Sequence, residues 1–146
     1  LVPALLTPKS RGSIRLVSAD PTVPPAIDPA YLSDPSDLPP LMEGVRRARS
    51  ILEKKPLAQY RGAPVQGRVL KPEEHIRAWG QTLYHPVGSC RMGPGEDAVV
   101  DAKLSVHGIA GLRVADASIM PLIPRAHTNV TTLLIAEKAA QLLRGK

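Results

Sequence analysis

Proline is the residue that most limits the structures open to this chain. Its 146 residues include sixteen prolines, about twice the ordinary frequency, and they are densest between residues 20 and 40. Each proline fixes φ and removes a backbone hydrogen-bond donor, so it is excluded from the interior of a regular helix and from a central strand. We therefore predict an ordered, extended surface segment over 20–40, anchored by the apolar residues Ile27, Tyr31 and Leu32.

The remaining segments carry the patterns of short strands and amphipathic helices. Side chains that alternate between two sides predict a strand over 12–19. An extended strand is predicted over 82–92, and two short apolar strands are predicted within 104–118 around a glycine turn. Apolar residues at helical spacing predict three helices, over 36–55, 72–79 and 127–146. Thr128 or Asn129 is expected to cap the last helix, and Gly145 to end it.

These elements together predict an α+β fold, with an antiparallel sheet and flanking helices. The tail helix is apolar around most of its circumference, which indicates that it needs more cover than a chain of this length supplies. We expect that cover to come from a missing partner domain or from self-association through the same face. The chain also begins with leucine, which indicates a piece of a longer protein.

Charge and cysteine content narrow the function classes. A net charge of +6 admits nucleic-acid or anionic-lipid binding. However, the basic residues are scattered, and one tryptophan and three tyrosines are too few for a base-stacking platform, so no nucleic-acid partner is expected. A single cysteine excludes an internal disulfide and fits a reducing, cytoplasmic setting, with peripheral membrane association left open. No apolar run reaches the ~18 residues of a membrane-spanning helix.

Histidines are the main candidates for chemistry. His75 is expected on a helix surface and His107 in a structural role beside a turn. His85 lies in an extended segment, and His127 immediately precedes the apolar tail helix. A zinc site formed by these histidines with Cys90 is disfavoured because the spacings are irregular, and no metal is predicted. A lone cysteine without a supporting signature is more often a small buried apolar residue than a nucleophile.

Four segments together resemble one enzyme family. They are "LLTPKSRGSIRLVSADPTVPPAIDPAYLSDPSDL" (5–38), "YHPVGSCRMG" (84–93), "VVDAKLSVHGIAGLRVADASIMP" (99–121) and "HTNVTTLLIAEKAAQLL" (127–143). In their residue patterns and in their order along the chain, they closely resemble the C-terminal part of the glucose–methanol–choline (GMC) flavoprotein oxidoreductases. The resemblance covers essentially the whole chain.

The resemblance implies an FAD enzyme that oxidises alcohols, passing the hydroxyl proton to an active-site base and the carbinol hydride to flavin N5. Histidine suits that base because it exchanges a proton near neutral pH. The family pattern assigns the two catalytic positions to His85 and His127. It assigns the contacts with the cofactor to five positions: Asp116 and Ala117 near the pyrophosphate and ribityl chain, and His127, Thr128 and Asn129 beside the flavin.

The resemblance also implies a domain organisation. Residues 1–146 correspond to the GMC C-terminal domain, in which 5–98 belong mainly to the substrate domain and 109–146 supply a strand and helix that complete the FAD domain. The family's N-terminal Rossmann-like FAD domain is lacking, and neither G-x-G-x-x-G nor a P-loop pattern occurs. We therefore expect the isolated chain to lack most of the FAD site and to be inactive alone.

Three questions stay open at the level of sequence: whether the chain is part of an active enzyme, which alcohol is oxidised and which electron acceptor is used. The alternative to an oxidoreductase fragment is a catalytically inactive, stand-alone or truncated module that needs a partner subunit. Arg125 stands where the family has commoner uncharged residues, which puts a positive charge near the expected site. The sequence names neither the alcohol nor the electron acceptor, which could be oxygen, a quinone or another protein.

Overall fold

The computed structural model describes residues 1–63 and 70–145, in which short strands precede the main helices. Strands β1 (Ser13–Arg15) and β2 (Ala26–Asp28) pair as a two-stranded antiparallel sheet. The helices are α1 (Leu38–Leu52), α2 (Pro72–Trp79) and α3 (Thr128–Leu143). Within the described residues there are also 3₁₀ turns at Pro35–Asp37, Lys55–Tyr60 and Ala117–Ile119. The predicted α+β class is confirmed, as are the helix over 72–79 and the tail helix.

The strand predictions were too long. The strand expected over 12–19 is reduced to β1, whose three residues are all exposed. No strand forms over 82–92, where Tyr84 and Gly88 take φ values of 62° and 87° and Pro86 removes a donor. The two strands expected within 104–118 are reduced to isolated bridges, Val100 with Val106 and Ser105 with Arg113. Left-handed residues break the period of a strand, and alternation in the sequence does not reveal them.

The proline-rich segment 20–40 is a surface segment, as predicted, but its expected anchors differ. The side chains of Ile27 and Tyr31 are 67% and 59% exposed, so neither anchors the segment within this chain. Leu32 is half-buried. The segment ends in α1, whose first turn contains two of the prolines, at positions where a missing N–H costs little.

The chain divides into two compact units. The first unit comprises Leu1–Gly12 and Ile27–Leu83, and the second comprises Ser13–Ala26 and Tyr84–Lys146. In the first unit α1 packs against α2, burying Val45 and Ile76. Gly44 is required on α1, because a Cβ there would lie 2.8 Å from Cβ of Pro3.

The second unit has an aliphatic core that holds α3. Val100, Leu104, Ile119 and Ala139 form the buried cluster, and Val100 is fully buried. Around the cluster, partly buried apolar side chains complete the packing: Met92, Val99, Val106, Val114, Ile135 and Leu142. No helix in the described parts of the chain has the length and apolar character needed to cross a lipid bilayer.

Candidate active site

Two histidines that are 42 residues apart in the sequence meet in the second unit. His85 Nε2 lies 3.1 Å from His127 Nδ1. The two rings approach edge to face, with centroids 5.2 Å apart and an angle of 79° between their planes. At this distance one nitrogen carries the shared proton and the other accepts it. The structure therefore brings together the two side chains that the sequence singled out.

A third side chain contacts the pair on its other side. Thr128 Oγ1 lies 3.2 Å from His85 Nδ1, so both ring nitrogens of His85 have partners. The prediction that Thr128 or Asn129 caps the helix is wrong. His127 occupies the N-cap position of α3, and no side chain makes the capping hydrogen bond. The contact between Thr128 and His85 has no local sequence signal, because it joins residues 43 apart.

The segment that follows His85 is hydrogen-bonded to the 3₁₀ turn Ala117–Ile119 (the 117–119 turn). The N–H of Cys90 donates to Ser118 O at 3.0 Å, and the N–H of Met92 donates to Ile119 O at 2.8 Å. Gly88 allows the close approach, since a Cβ there would lie 3.3 Å from Met120 O in a left-handed backbone conformation. These contacts fix the backbone a few residues after His85.

The same turn supports α3, which carries His127 and Thr128. The 117–119 turn packs against α3, and Ile119 and Ala139 are both buried there. Asp116 begins the turn, because its Oδ1 accepts a hydrogen bond of 2.8 Å from the N–H of Ser118 and a second one from the Ser118 hydroxyl. Within the structure Asp116 has a local role, and no hydrogen bond links it or Ala117 to either histidine.

The first turn of α3 is electropositive. Its backbone N–H groups have no side-chain cap, and it contains no acidic residue, so the free donors and the helix dipole favour negative charge at this end. Arg125, two residues before His127, is exposed and makes no ion pair or hydrogen bond with the described residues. Free donors beside two imidazoles suit a planar heteroaromatic group that gains negative charge, such as a flavin.

The other histidines are separate from this pair. His107 Nε2 lies 3.1 Å from Gly93 O, a contact that fits its expected structural role, and His75 is half-buried on α2. Cys90 is half-buried. In residues 1–63 and 70–145 no group of three or more histidine, cysteine, aspartate or glutamate side chains is placed to hold a metal ion.

Neither of two cavities in the second unit is lined by the histidine pair. One, of about 190 Å³, lies along α3 and is lined mainly by aliphatic side chains such as Leu104, Ile135 and Leu142. Another, of about 510 Å³, is lined by residues that include Met92 and His107. His85 and His127 are absent from both linings. The pair lies instead at the surface, with His85 half-buried and His127 exposed.

Comparison with known proteins places this arrangement in a family. A model of the GMC oxidoreductase family, describing the C-terminal domain, matches residues 8–136. The chain belongs to the GMC oxidoreductase family. The resemblance found in the sequence is thereby confirmed over most of the chain. The motifs at 84–93 and 127–143 carry the histidine pair and Thr128, and the motif at 99–121 contains the turn that supports them.

Curated GMC relatives are similar over almost the whole chain. An uncharacterised GMC-type oxidoreductase of Mycobacterium tuberculosis is 45% identical, covering 98% of this chain and 29% of the relative. An alcohol dehydrogenase (acceptor) of Pseudomonas putida is 43% identical over 97% of the chain and 26% of its own length. An oxygen-dependent choline dehydrogenase of Escherichia coli is 43% identical, over 94% of the chain and 25% of its own length. The chain thus spans between a quarter and a third of these relatives.

Solved GMC structures share the fold. Pyridoxine 4-oxidase from Mesorbium loti superposes with a TM-score of 0.82 at 32% identity, covering 97% of this chain and 28% of that one. An FAD-dependent oxidoreductase from Chaetomium thermophilum superposes with a TM-score of 0.78 at 27% identity, covering 96% and 25%. The arrangement of helices and turns described above is therefore that of a GMC C-terminal domain.

Proposed function

We propose that this chain is the C-terminal part of an FAD-dependent alcohol oxidoreductase in which His85 and His127 form the acid–base pair. The observation that carries the proposal is the 3.1 Å contact between His85 Nε2 and His127 Nδ1. The membership of the GMC family and the relatives named as alcohol and choline dehydrogenases support the same class of reaction.

The two nitrogens suit the proton chemistry of alcohol oxidation. An alcohol is a very weak acid, so loss of its carbinol hydride is assisted by a base that takes the hydroxyl proton. The position shared by the two histidines is one within hydrogen-bond distance of both His85 Nε2 and His127 Nδ1. A substrate oxygen that lies there, in place of the direct hydrogen bond between the rings, can donate its proton to one imidazole and accept a hydrogen bond from the other. The second hydrogen bond stabilises the negative charge that develops on oxygen as the proton leaves.

The first turn of α3 is the part of this chain that suits the cofactor. FAD, when bound, supplies the acceptor for the hydride that leaves the carbinol carbon. Thr128 and Asn129 lie at the start of α3, where uncapped N–H groups and the helix dipole stabilise an electron-rich ring. We propose that these two residues and His127 hold the flavin end of the cofactor, and that Asp116 and Ala117 contact its pyrophosphate and ribityl chain through the 117–119 turn.

The remainder of the enzyme is proposed to come from a longer chain. The relatives named above are three to four times as long as the aligned segment, and α3 exposes Val130, Leu133 and Leu134 along one side. An apolar face of this kind is stabilised by burial. We propose that a GMC FAD domain covers it, and that the 146-residue chain alone does not oxidise alcohols.

Histidine substitution in the full-length flavoprotein tests the assignment. We expect H85A and H127A each to slow reduction of bound flavin by an alcohol by about 10²- to 10⁴-fold, the usual contribution of a general base. Stopped-flow absorbance of the flavin measures this rate. The flavin content of the purified protein measures cofactor binding, which should change much less in H85A. H75A is the matched control, because His75 lies on α2 in the other unit.

The assignment fails if flavin content and flavin reduction fall together in H85A, since His85 would then be needed for cofactor binding or folding instead of proton transfer. A rate in H85A equal to that of H75A would also exclude it.

A further inference from the structure

We infer that the Thr128 hydroxyl is a positioning group, which fixes the tautomer of His85 and so makes His85 Nε2 the proton-accepting nitrogen of the pair. This inference rests on the proposed function for its catalytic consequence. The hydrogen bond between Thr128 and His85 does not depend on the proposed function, and it can be tested in the chain without a cofactor.

Thr128 is free to act on His85 because its hydroxyl has no task within the helix. Threonine near a helix start often caps the free N–H groups, but in α3 no side-chain cap is made. A helical threonine can also donate to the carbonyl one turn earlier, as Thr132 does to Thr128 O at 2.9 Å. The Thr128 hydroxyl does neither, and its contact among the described residues is His85 Nδ1.

The hydroxyl is also held in place. Thr128 is the first residue of α3, and a β-branched side chain in a helix has few accessible χ1 values. The helix is fixed in turn by the burial of Ala139 against the core of the second unit. Oγ1 is therefore presented to His85 by a rigid element, and the contact is partly buried.

The direction of this hydrogen bond decides which nitrogen can accept a proton. If His85 Nδ1 carries hydrogen and donates to Thr128 Oγ1, then His85 Nε2 has a free lone pair that faces His127. If the hydroxyl instead donates to a bare Nδ1, the proton-accepting site of His85 faces Thr128, whose hydroxyl already occupies it. Only the first arrangement gives His85 a base directed to the position shared with His127.

The first arrangement also needs no rearrangement during the reaction. When His85 Nε2 gains a proton the ring is an imidazolium with two N–H donors, and Nδ1–H still donates to the same hydroxyl. In the second arrangement a new proton on Nδ1 would meet the hydroxyl's own proton, so the hydroxyl would have to turn. A preorganised contact that serves both protonation states lowers the reorganisation in the transition state.

Nitrogen-15 NMR of the histidine rings in the 146-residue chain tests the hydrogen bond directly, because protonated and bare ring nitrogens have well-separated shifts. We expect a protonated Nδ1 and a bare Nε2 at His85 in the wild type. T128V should move His85 towards the tautomer mixture of His75, which serves as internal reference, and T128S should restore the wild-type pattern. T132V is the matched control, since it removes a hydroxyl one turn along α3 that contacts no histidine.

A bare Nδ1 at His85 in the wild type would overturn the inference, even if T128V fails to fold. A T128V spectrum identical to that of the wild type at His85, in a chain whose amide spectrum shows a preserved fold, would overturn it as well.

Kinetics of the full-length flavoprotein test the catalytic consequence. We expect T128V to lower kcat for flavin reduction by about 10- to 100-fold, in the range seen when a histidine loses the group that orients it, with KM unchanged and T128S and T132V near the wild type. If no alcohol reduces the wild-type flavin, the proposed function is wrong, while a tautomer at His85 that depends on Thr128 would still support the hydrogen bond. If the tautomer changes in T128V but kcat does not, the positioning role is wrong.

Discussion

Asp37 is a buried carboxylate that fastens the start of the chain to the beginning of α1. It is 4% exposed, and its oxygens accept hydrogen bonds of 2.8 Å from the N–H groups of Lys9 and Ser10 and of 2.6 Å from the Ser10 hydroxyl. Burial raises the pKa of this carboxyl, but the hydrogen bonds together outweigh burial and hold the pKa below its ordinary value. The ionised form is therefore the one that the fold stabilises.

Substitution D37N should lower the free energy of unfolding by about 2–3 kcal/mol, because hydrogen bonds to a charged acceptor are lost and an amide N–H₂ faces other donors. Urea denaturation at neutral pH measures the change. D28N is the matched control, since Asp28 is exposed and, in the described parts of the chain, its carboxylate accepts a hydrogen bond from the nearby N–H of Ala30. Equal stability of D37N and D28N would contradict the structural role of Asp37.

The low pKa of Asp37 also gives this difference a pH dependence. A carboxyl whose pKa is lower in the folded state contributes its full stabilisation above the pKa of the unfolded chain, about 3.9, and loses it as pH falls from there through the folded value. The stability gap between wild type and D37N should thus be constant from about pH 5 to 7 and shrink below about pH 4. A gap that grows on acidification would exclude this account.

Among the elements, the 117–119 turn supports both segments that carry the histidine pair. Ile119 is 2% exposed and packs in the cluster with Val100 and Ala139. We expect I119A to destabilise the chain by about 2–5 kcal/mol, the range for removing a buried isoleucine side chain and leaving a cavity. The matched control L133A removes a side chain that is 59% exposed and should cost less than about 0.5 kcal/mol.

Urea midpoints of the two variants measure this difference. In I119A the NMR cross-peaks between the rings of His85 and His127 should disappear at lower urea concentrations than those that unfold the whole chain, because the turn anchors the segments that carry the two histidines. Intact contacts in a destabilised I119A chain would show that the turn does not position the pair.

The elements differ in how well the sequence predicted them, and the reason is the range of the interactions. Helices α2 and α3 are specified locally, by Pro72 and two glutamates in the first turn of α2 and by an apolar run ended by Gly145 in α3, so both were predicted. The strand predictions were too long because isolated residues with positive φ, such as Tyr84 and Leu104, interrupt these segments. The alternation of apolar and polar residues continues through such positions, so the sequence does not reveal the interruption.

The sequence indicated which residues form the candidate site, but it did not indicate which side chains contact each other there. The family pattern selected His85 and His127, and the structure shows that they touch. The contact of Thr128 with His85 was missed, because a hydroxyl at a helix start predicts a cap and nothing in the sequence indicates a partner 43 residues earlier. Contacts of that separation are fixed by the packing of the second unit and not by local propensity.

For the molecule as a whole, the exposed side of α3 has consequences in solution. Val130, Leu133 and Leu134 lie at helical spacing and are exposed. We expect the isolated 146-residue chain to self-associate through this side, so that its weight-average mass in sedimentation equilibrium rises with concentration. The double variant L133Q/L134Q should weaken the association, whereas I109Q, at an apolar residue outside α3 that is 55% exposed, should leave it unchanged.

A chain that stays monomeric up to the highest soluble concentration would contradict this expectation, as would equal association of the two variants. In the full-length flavoprotein the same leucines should be protected from solvent, because the proposed FAD domain would cover them.

The location of the pair within one unit bears on how such enzymes diversify. His85, His127 and Thr128 all fall in the segment from Tyr84 onward, while α1 and α2 belong to the other unit. Under the proposed function, mutations in residues 27–83 can therefore accumulate without changing the proposed proton-transfer groups. A lineage that varies that part of the sequence would inherit the histidine pair intact, and this separation suits a family whose relatives carry names as different as choline dehydrogenase and pyridoxine 4-oxidase.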